Sequence, residues 1–143
     1  MVNKLTGEVI ALDIGRARTG VARINTIARI AEALEPIYES ETELTLKLGD
    51  ILLLRQPSAV VLGLPRGLDG QETEQTAYVR GVLAELRAFY PSTTFYTVDE
   101  AGTTKEAENR AKHNESVDSV AAGILAEDFL TEVSRGNVDG LTL

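Results

Sequence analysis

The sequence predicts an α/β fold in which a mixed five-stranded sheet is joined by crossover helices. Three features predict it. Two apolar runs, Glu8 to Asp13 and Thr19 to Ile24, are separated only by a short Ile-Gly-Arg-Ala-Arg connection, which reads as a hairpin. Ala59 to Gly63 is a fully apolar run between Pro57 and Pro65, too short for a helix, as expected of a buried strand. Two segments with helical periodicity then join strands, and connections of that length link parallel neighbours with right-handed crossovers.

Taken in order, the first run stops at Gly15 and the second alternates like a half-buried strand. A third strand is expected within Ile27 to Ile37, bounded by Pro36. Ser40-Glu-Thr-Glu43 has the spacing of a capping box, predicting a helix from Ser40 that shows Leu44, Leu48, Ile51 and Leu52 to the core and ends before Pro57. After Leu64-Pro-Arg-Gly-Leu-Asp-Gly70, a second helix carries Ala77, Val79, Val82, Leu83, Leu86 and Phe89 on one face. Thr94 to Val98 is the fifth strand, and Thr103-Thr-Lys-Glu106 opens a short polar helix. A last helix runs from about Asp118 to Ser134, with Val120, Ala121, Ile124, Leu125 and Phe129 inward. Residues 1–135 are expected to form a single domain and residues 136–143 a flexible tail.

Composition narrows the chemistry. The 143 residues, 43% of them hydrophobic, suffice for one domain with a substantial core. There is no cysteine and a single histidine, His113, which excludes disulfide frameworks, thiolate sites and histidine-rich zinc centres. No apolar run approaches the ~20 residues that span a bilayer, so a cytoplasmic protein without a membrane partner is expected. The net charge of −8 opposes a broad basic surface for nucleic acid. Its distribution is uneven: residues 1–31 hold five basic side chains against two acids, a local +3 that leaves −11 for the rest.

Three acids stand at element boundaries. Asp13 and Glu100 end strands, and Asp118 begins a helix. The strands ending at Asp13, Gly63 and Glu100 should be parallel with their carboxyl ends on one edge, where open sheets bind ligands. A cluster of carboxylates there is the usual protein contribution to magnesium-dependent phosphodiester chemistry. Each acid also has an ordinary role: Asp13 as a turn residue before Gly15, Asp118 as a helix N-cap, Glu100 as a solvated loop charge. Alternation leaves open whether Glu100 or its neighbour Asp99 enters the site.

Four segments together resemble the YqgF/RuvX family. They are Asp13-Ile-Gly-Arg-Ala-Arg-Thr-Gly-Val-Ala22, Val61-Leu-Gly-Leu-Pro65 with Asp69-Gly70 and Gln75, Asp99-Glu100 with Thr103-Thr104 and Ala107, and Val117-Asp-Ser-Val-Ala-Ala122. Each motif is weak alone, but the ordered set spans Glu8 to Leu130. The resemblance implies a ribonuclease H-like mixed five-stranded sheet with helices on both faces. It also implies a hydrolase: a metal-dependent nuclease acting on structured nucleic acid, with 5′-end maturation of pre-16S rRNA as the expected role and Holliday junction resolution in branched DNA as the alternative. Asp13, Glu100 and Asp118 then match the catalytic and metal-binding acids, with Glu100 preferred to Asp99. The implied cofactor is Mg²⁺ or Mn²⁺, which takes hard oxygen ligands.

Around that edge, Arg16, Arg18 and Arg66 are candidates to fork to phosphate oxygens, and Gly63 and Gly67 to admit a backbone or phosphate closely. Surface solubility and turn formation are the competing roles. Tyr78, Phe89 and Tyr90 read as packing. The chain departs from the family pattern in two places: Ala101-Gly102 stands where relatives carry Arg-Leu, and the connection from Thr104 to Asp118 is short and lacks a basic loop. A non-catalytic RNA- or protein-binding relative therefore stays open, as does an actin-type ATPase suggested by Asp13-Ile-Gly15 with Gly20. Monomer and homodimer are both compatible with the sequence.

Overall fold

The computed structural model describes residues 7–99 and 117–134, with the side chains of residues 123–131 in the last helix. Strands β1 (Glu8–Asp13), β2 (Arg18–Asn25) and β3 (Ile30–Tyr38) come first. Helix α1 (Leu44–Arg55), strand β4 (Ala59–Leu64), helix α2 (Glu74–Phe89), strand β5 (Phe95–Asp99) and helix α3 (Val117–Ser134) follow. The sheet order is β3-β2-β1-β4-β5. The first three strands are antiparallel neighbours, whereas β4 and β5 run parallel to β1. The expected mixed five-stranded sheet is therefore present.

Alternation sorts the strand side chains onto two faces. Ile10, Leu12, Val60, Leu62 and Phe95 pack with Leu48 of α1 and Val79, Leu83 and Leu86 of α2. On the other face, Val9, Ala11, Val61, Tyr96 and Val98 pack with Leu125, Ala126 and Phe129 of α3. Helices thus cover both faces. Because β1 and β4 are buried on both sides, their sequences are continuous apolar runs rather than alternating ones. β3 lies on an edge, which accommodates Pro36, and its register shifts opposite Gly20 between Thr19 and Val21.

Two local expectations differ from the structure. The Ser40–Glu43 capping box does not form: α1 starts at Leu44 with Glu43 as an N-cap that makes no side-chain bond, and the Leu44 amide donates to Glu39 Oε1 at 3.4 Å. A longer β3 and the turn after it take up Ser40 to Thr42, so tertiary pairing overrides the local signal. A reciprocal cap does form at α2 between Thr73 and Thr76, where Thr76 is fully buried and its hydroxyl also donates to the Pro65 carbonyl. On α2 itself, Ala77 and Phe89 are exposed, and the buried stripe is Thr76, Val79, Leu83 and Leu86.

Glu100, the helix expected after Thr103, His113 and the tail 136–143 lie outside the described residues. Among the described residues, no helix is long and apolar enough to cross a membrane.

Candidate active site

The carboxyl ends of the parallel strands β1, β4 and β5 form one edge, and most of the residues singled out in the sequence gather on it. Asp13 is the last residue of β1 and is half-buried. Its parity is that of Val9 and Ala11, so it belongs to the α3 face of the sheet. Its cross-strand partner on β2 is Gly20. On the other side, continuing the Leu12–Leu62 pairing by one residue sets Asp13 beside Gly63. The carboxylate therefore stands in a row whose two immediate neighbours have no side chain. Gly63 in turn pairs with Val98 of β5.

Asp99 ends β5 on the opposite parity, with Phe95 and Thr97, and so belongs to the α1/α2 face. There it accepts a hydrogen bond from Arg66 Nε at 3.1 Å. Arg66 also pairs with Glu72 at 3.3 Å, and Glu72 receives both Nε and an Nη of Arg80 at 2.9 and 2.8 Å. The hydrogen bonds from Arg80 above all hold the Glu72 carboxyl below the usual glutamate range. The Arg66 guanidinium is thus committed to two carboxylates. Asp99 and Asp13 are not brought together.

Asp118 is the second residue of α3, the helix that covers the Asp13 face. The rings of Phe129 and Tyr96 lie 6.1 Å apart, near the start of β5. Among the described residues, no three His, Cys, Asp or Glu side chains group closely enough to hold a metal ion. Glu100 and the Asp118 side chain lie outside that set.

The turn from β1 to β2 carries the two arginines. Gly15 is required there, because a Cβ on it would collide with the Arg18 carbonyl oxygen. Gln75 of α2 donates from Nε2 to the Ile14 carbonyl at 3.3 Å, which gives the motif glutamine a structural task. The Arg16 guanidinium lies 4.2 Å from the centre of the Tyr78 ring. Arg18 is exposed at the start of β2. Sequence reasoning missed the roles of Gly20 and Tyr78. The Gly20 signal was present in the hairpin register, seven residues after Asp13, whereas the approach of Tyr78 to Arg16 is purely tertiary.

Sheet order, helical layers and an acid at the end of the central strand define the class as a ribonuclease H-like α/β domain. The chain belongs to the RuvX family: a family model described as "RuvX: Holliday junction resolvase" matches residues 7–132. Relatives described as "Putative pre-16S rRNA nuclease" include one from Fusobacterium nucleatum, 33% identical over 130 residues, covering 85% of this chain and 94% of the relative. Another, from Bordetella pertussis, is 33% identical over 129 residues, covering 89% and 96%. Among solved structures, Thermus thermophilus RuvC in complex with a Holliday junction substrate superposes with a TM-score of 0.60 at 16% identity, covering 92% of this chain and 98% of that one. The fowlpox virus Holliday junction resolvase gives 0.56 at 10% identity, covering 87% and 99%. At those identities the two structures establish a shared fold.

Proposed function

We propose that this chain is a divalent-metal-dependent nuclease that hydrolyses phosphodiester bonds in structured RNA, with the 5′ end of the pre-16S rRNA as its substrate. The observation that carries it is Asp13: an acid at the end of the central strand, half-buried, with glycines on both sides of it in the sheet. A turn residue needs no such bay. A carboxylate that shares an ion and a phosphate with other ligands does.

The donors fit Mg²⁺ or Mn²⁺, since a carboxylate supplies hard oxygen ligands and this chain has no cysteine and one histidine. Asp13, Glu100 and Asp118 would hold the ion. Parity supports Glu100 over Asp99, because Asp99 belongs to the other face and is already paired with Arg66. For Asp118 the support is the course of α3. Asp118 is the second residue of that helix, which packs over the Asp13 face and sets Phe129 against Tyr96. When bound, the ion would lower the pKa of the attacking water and stabilise charge on the departing oxygen.

The remaining tasks fall to the chain. The glycine-flanked row gives the scissile phosphate room beside Asp13, while Gln75 and the tight turn at Gly15 fix the backbone after it. Arg16 and Arg18 supply cationic contacts to phosphate on that turn, and Gly63 supplies clearance. Arg66, held by Asp99 and Glu72, braces the edge instead. Residues 1–135 act as one domain, and rRNA maturation implies a cytoplasmic location.

The test is cleavage of a pre-16S 5′ leader RNA and of a four-way DNA junction by the purified protein with Mg²⁺ or Mn²⁺. The RNA should be cut, and chelator or Asp13→Asn should abolish cutting while the melting temperature is retained. Cutting of the junction alone would replace the substrate with branched DNA. RNA binding that ignores chelator, without cleavage of either substrate, would make the chain a binding relative.

A further inference from the structure

Arg16 differs from the other arginines of the fold. Arg23 is paired with Glu32 and Glu8, Arg55 with Glu8, Arg66 with Asp99 and Glu72, and Arg80 with Glu72. Arg16, among the described residues, makes no ion pair or hydrogen bond. It lies over the face of Tyr78, 4.2 Å from the ring centre. Stacking on a ring occupies the plane of a guanidinium and leaves its N–H edges free to donate. Such an arginine is held in place without being neutralised.

The platform beneath it is well fixed. Tyr78 is half-buried and packs against the core beneath α1 and α2. Gln75, one turn earlier on the same face of α2, donates to the Ile14 carbonyl, two residues before Arg16. Gln75 and Tyr78 therefore hold the same turn from one helix. The reciprocal cap at Thr73 and Thr76 secures the start of that helix.

We infer that Arg16, stacked on Tyr78, is a built phosphate clamp that takes a backbone phosphate flanking the scissile one, with Tyr78 as its positioning residue. This rests on the nuclease reading and adds a second point of grip to it. The flanking assignment follows from the two faces of the sheet. Asp13 belongs to the α3 face, whereas Tyr78 and the guanidinium above it belong to the α2 side of the same edge. On opposite faces of one edge, the two suit different phosphates of a strand that crosses the edge between them.

The test is equilibrium binding of a fluorescent pre-16S leader RNA to the full chain in an Asp13→Asn background, over a range of salt. Arg16→Gln should weaken binding about threefold to tenfold and lower the slope of log affinity against log salt by about 0.7–0.9, the signature of one lost phosphate contact. Tyr78→Leu should weaken binding by a smaller factor, whereas Tyr78→Phe, which keeps the ring, should stay within about twofold. Adding Tyr78→Leu to Arg16→Gln should cost nothing more, because the ring acts only through the arginine. In the active protein, Arg16→Gln should raise KM and leave kcat in place. An unchanged salt slope in Arg16→Gln, or Tyr78→Leu and Arg16→Gln losses that simply add, would overturn the clamp while leaving the nuclease standing. Absence of RNA binding by the parent protein would remove both.

Discussion

At the carboxyl edge of the sheet, the two faces are furnished with opposite materials. The α3 face presents Asp13 in a strand row between Gly20 and Gly63. The α1/α2 face presents Asp99, Arg66, Glu72 and Arg80 in a chain of ion pairs, with Arg16 stacked on Tyr78 nearby. The contrast separates two uses of charge. Ion pairs among partly exposed side chains brace a loop and balance one another. A carboxylate flanked by glycines in its sheet row leaves room for a ligand that brings its own charge.

The largest expected effect is on the Asp13 face. Asp13→Asn should lower cleavage by more than the roughly 10–100-fold that loss of an outer-shell partner costs, with an unchanged melting temperature. Single-turnover cleavage and thermal unfolding together check it, and a fold retained with full activity would break the contrast. Gly15→Ala probes the hinge between the faces. Its Cβ meets backbone at the Arg18 carbonyl, so the turn must open, at a cost of about 1–3 kcal/mol in denaturant unfolding and with weakened cleavage.

On the braced face, effects should be smaller. Asp99→Asn should leave cleavage within a few-fold and cost less than about 1 kcal/mol, as expected for an exposed pair. A loss equal to that of Asp13→Asn would assign Asp99 to the metal. Smallest of all is Glu72. Its carboxyl is held below the ordinary range, chiefly by Arg80, so its contribution is complete above the ordinary glutamate pKa and vanishes as pH falls through the depressed one. The difference in melting temperature between the parent protein and Glu72→Gln should therefore be present near neutrality and disappear in acid.

Much of this was legible in the sequence because the core is strongly patterned. β1 and β4 are apolar without interruption, and the stripe from Leu44 through Leu48 on α1 has helical spacing. Asp13 and Gly63 could be placed on one edge from the order of strands alone. The partner of Asp99 could not, because Arg66 is 33 residues away in sequence. The Ser40–Glu43 spacing misled for a related reason: pairing of β3 with β2 outweighs one local cap. Tyr78 looked like core because half of it is. The half that meets Arg16 depends on the approach of α2 to the β1–β2 turn, which no local pattern encodes.

The contrast between the faces is tested most directly by the anomalous diffraction of a crystal of this protein soaked in manganese. A peak is expected on the α3 side of the edge, with the Asp13 carboxylate as a ligand at about 2.1 Å and Asp99 still paired with Arg66. A manganese ion bound by Asp99, or ordered manganese elsewhere with none at Asp13, would contradict it.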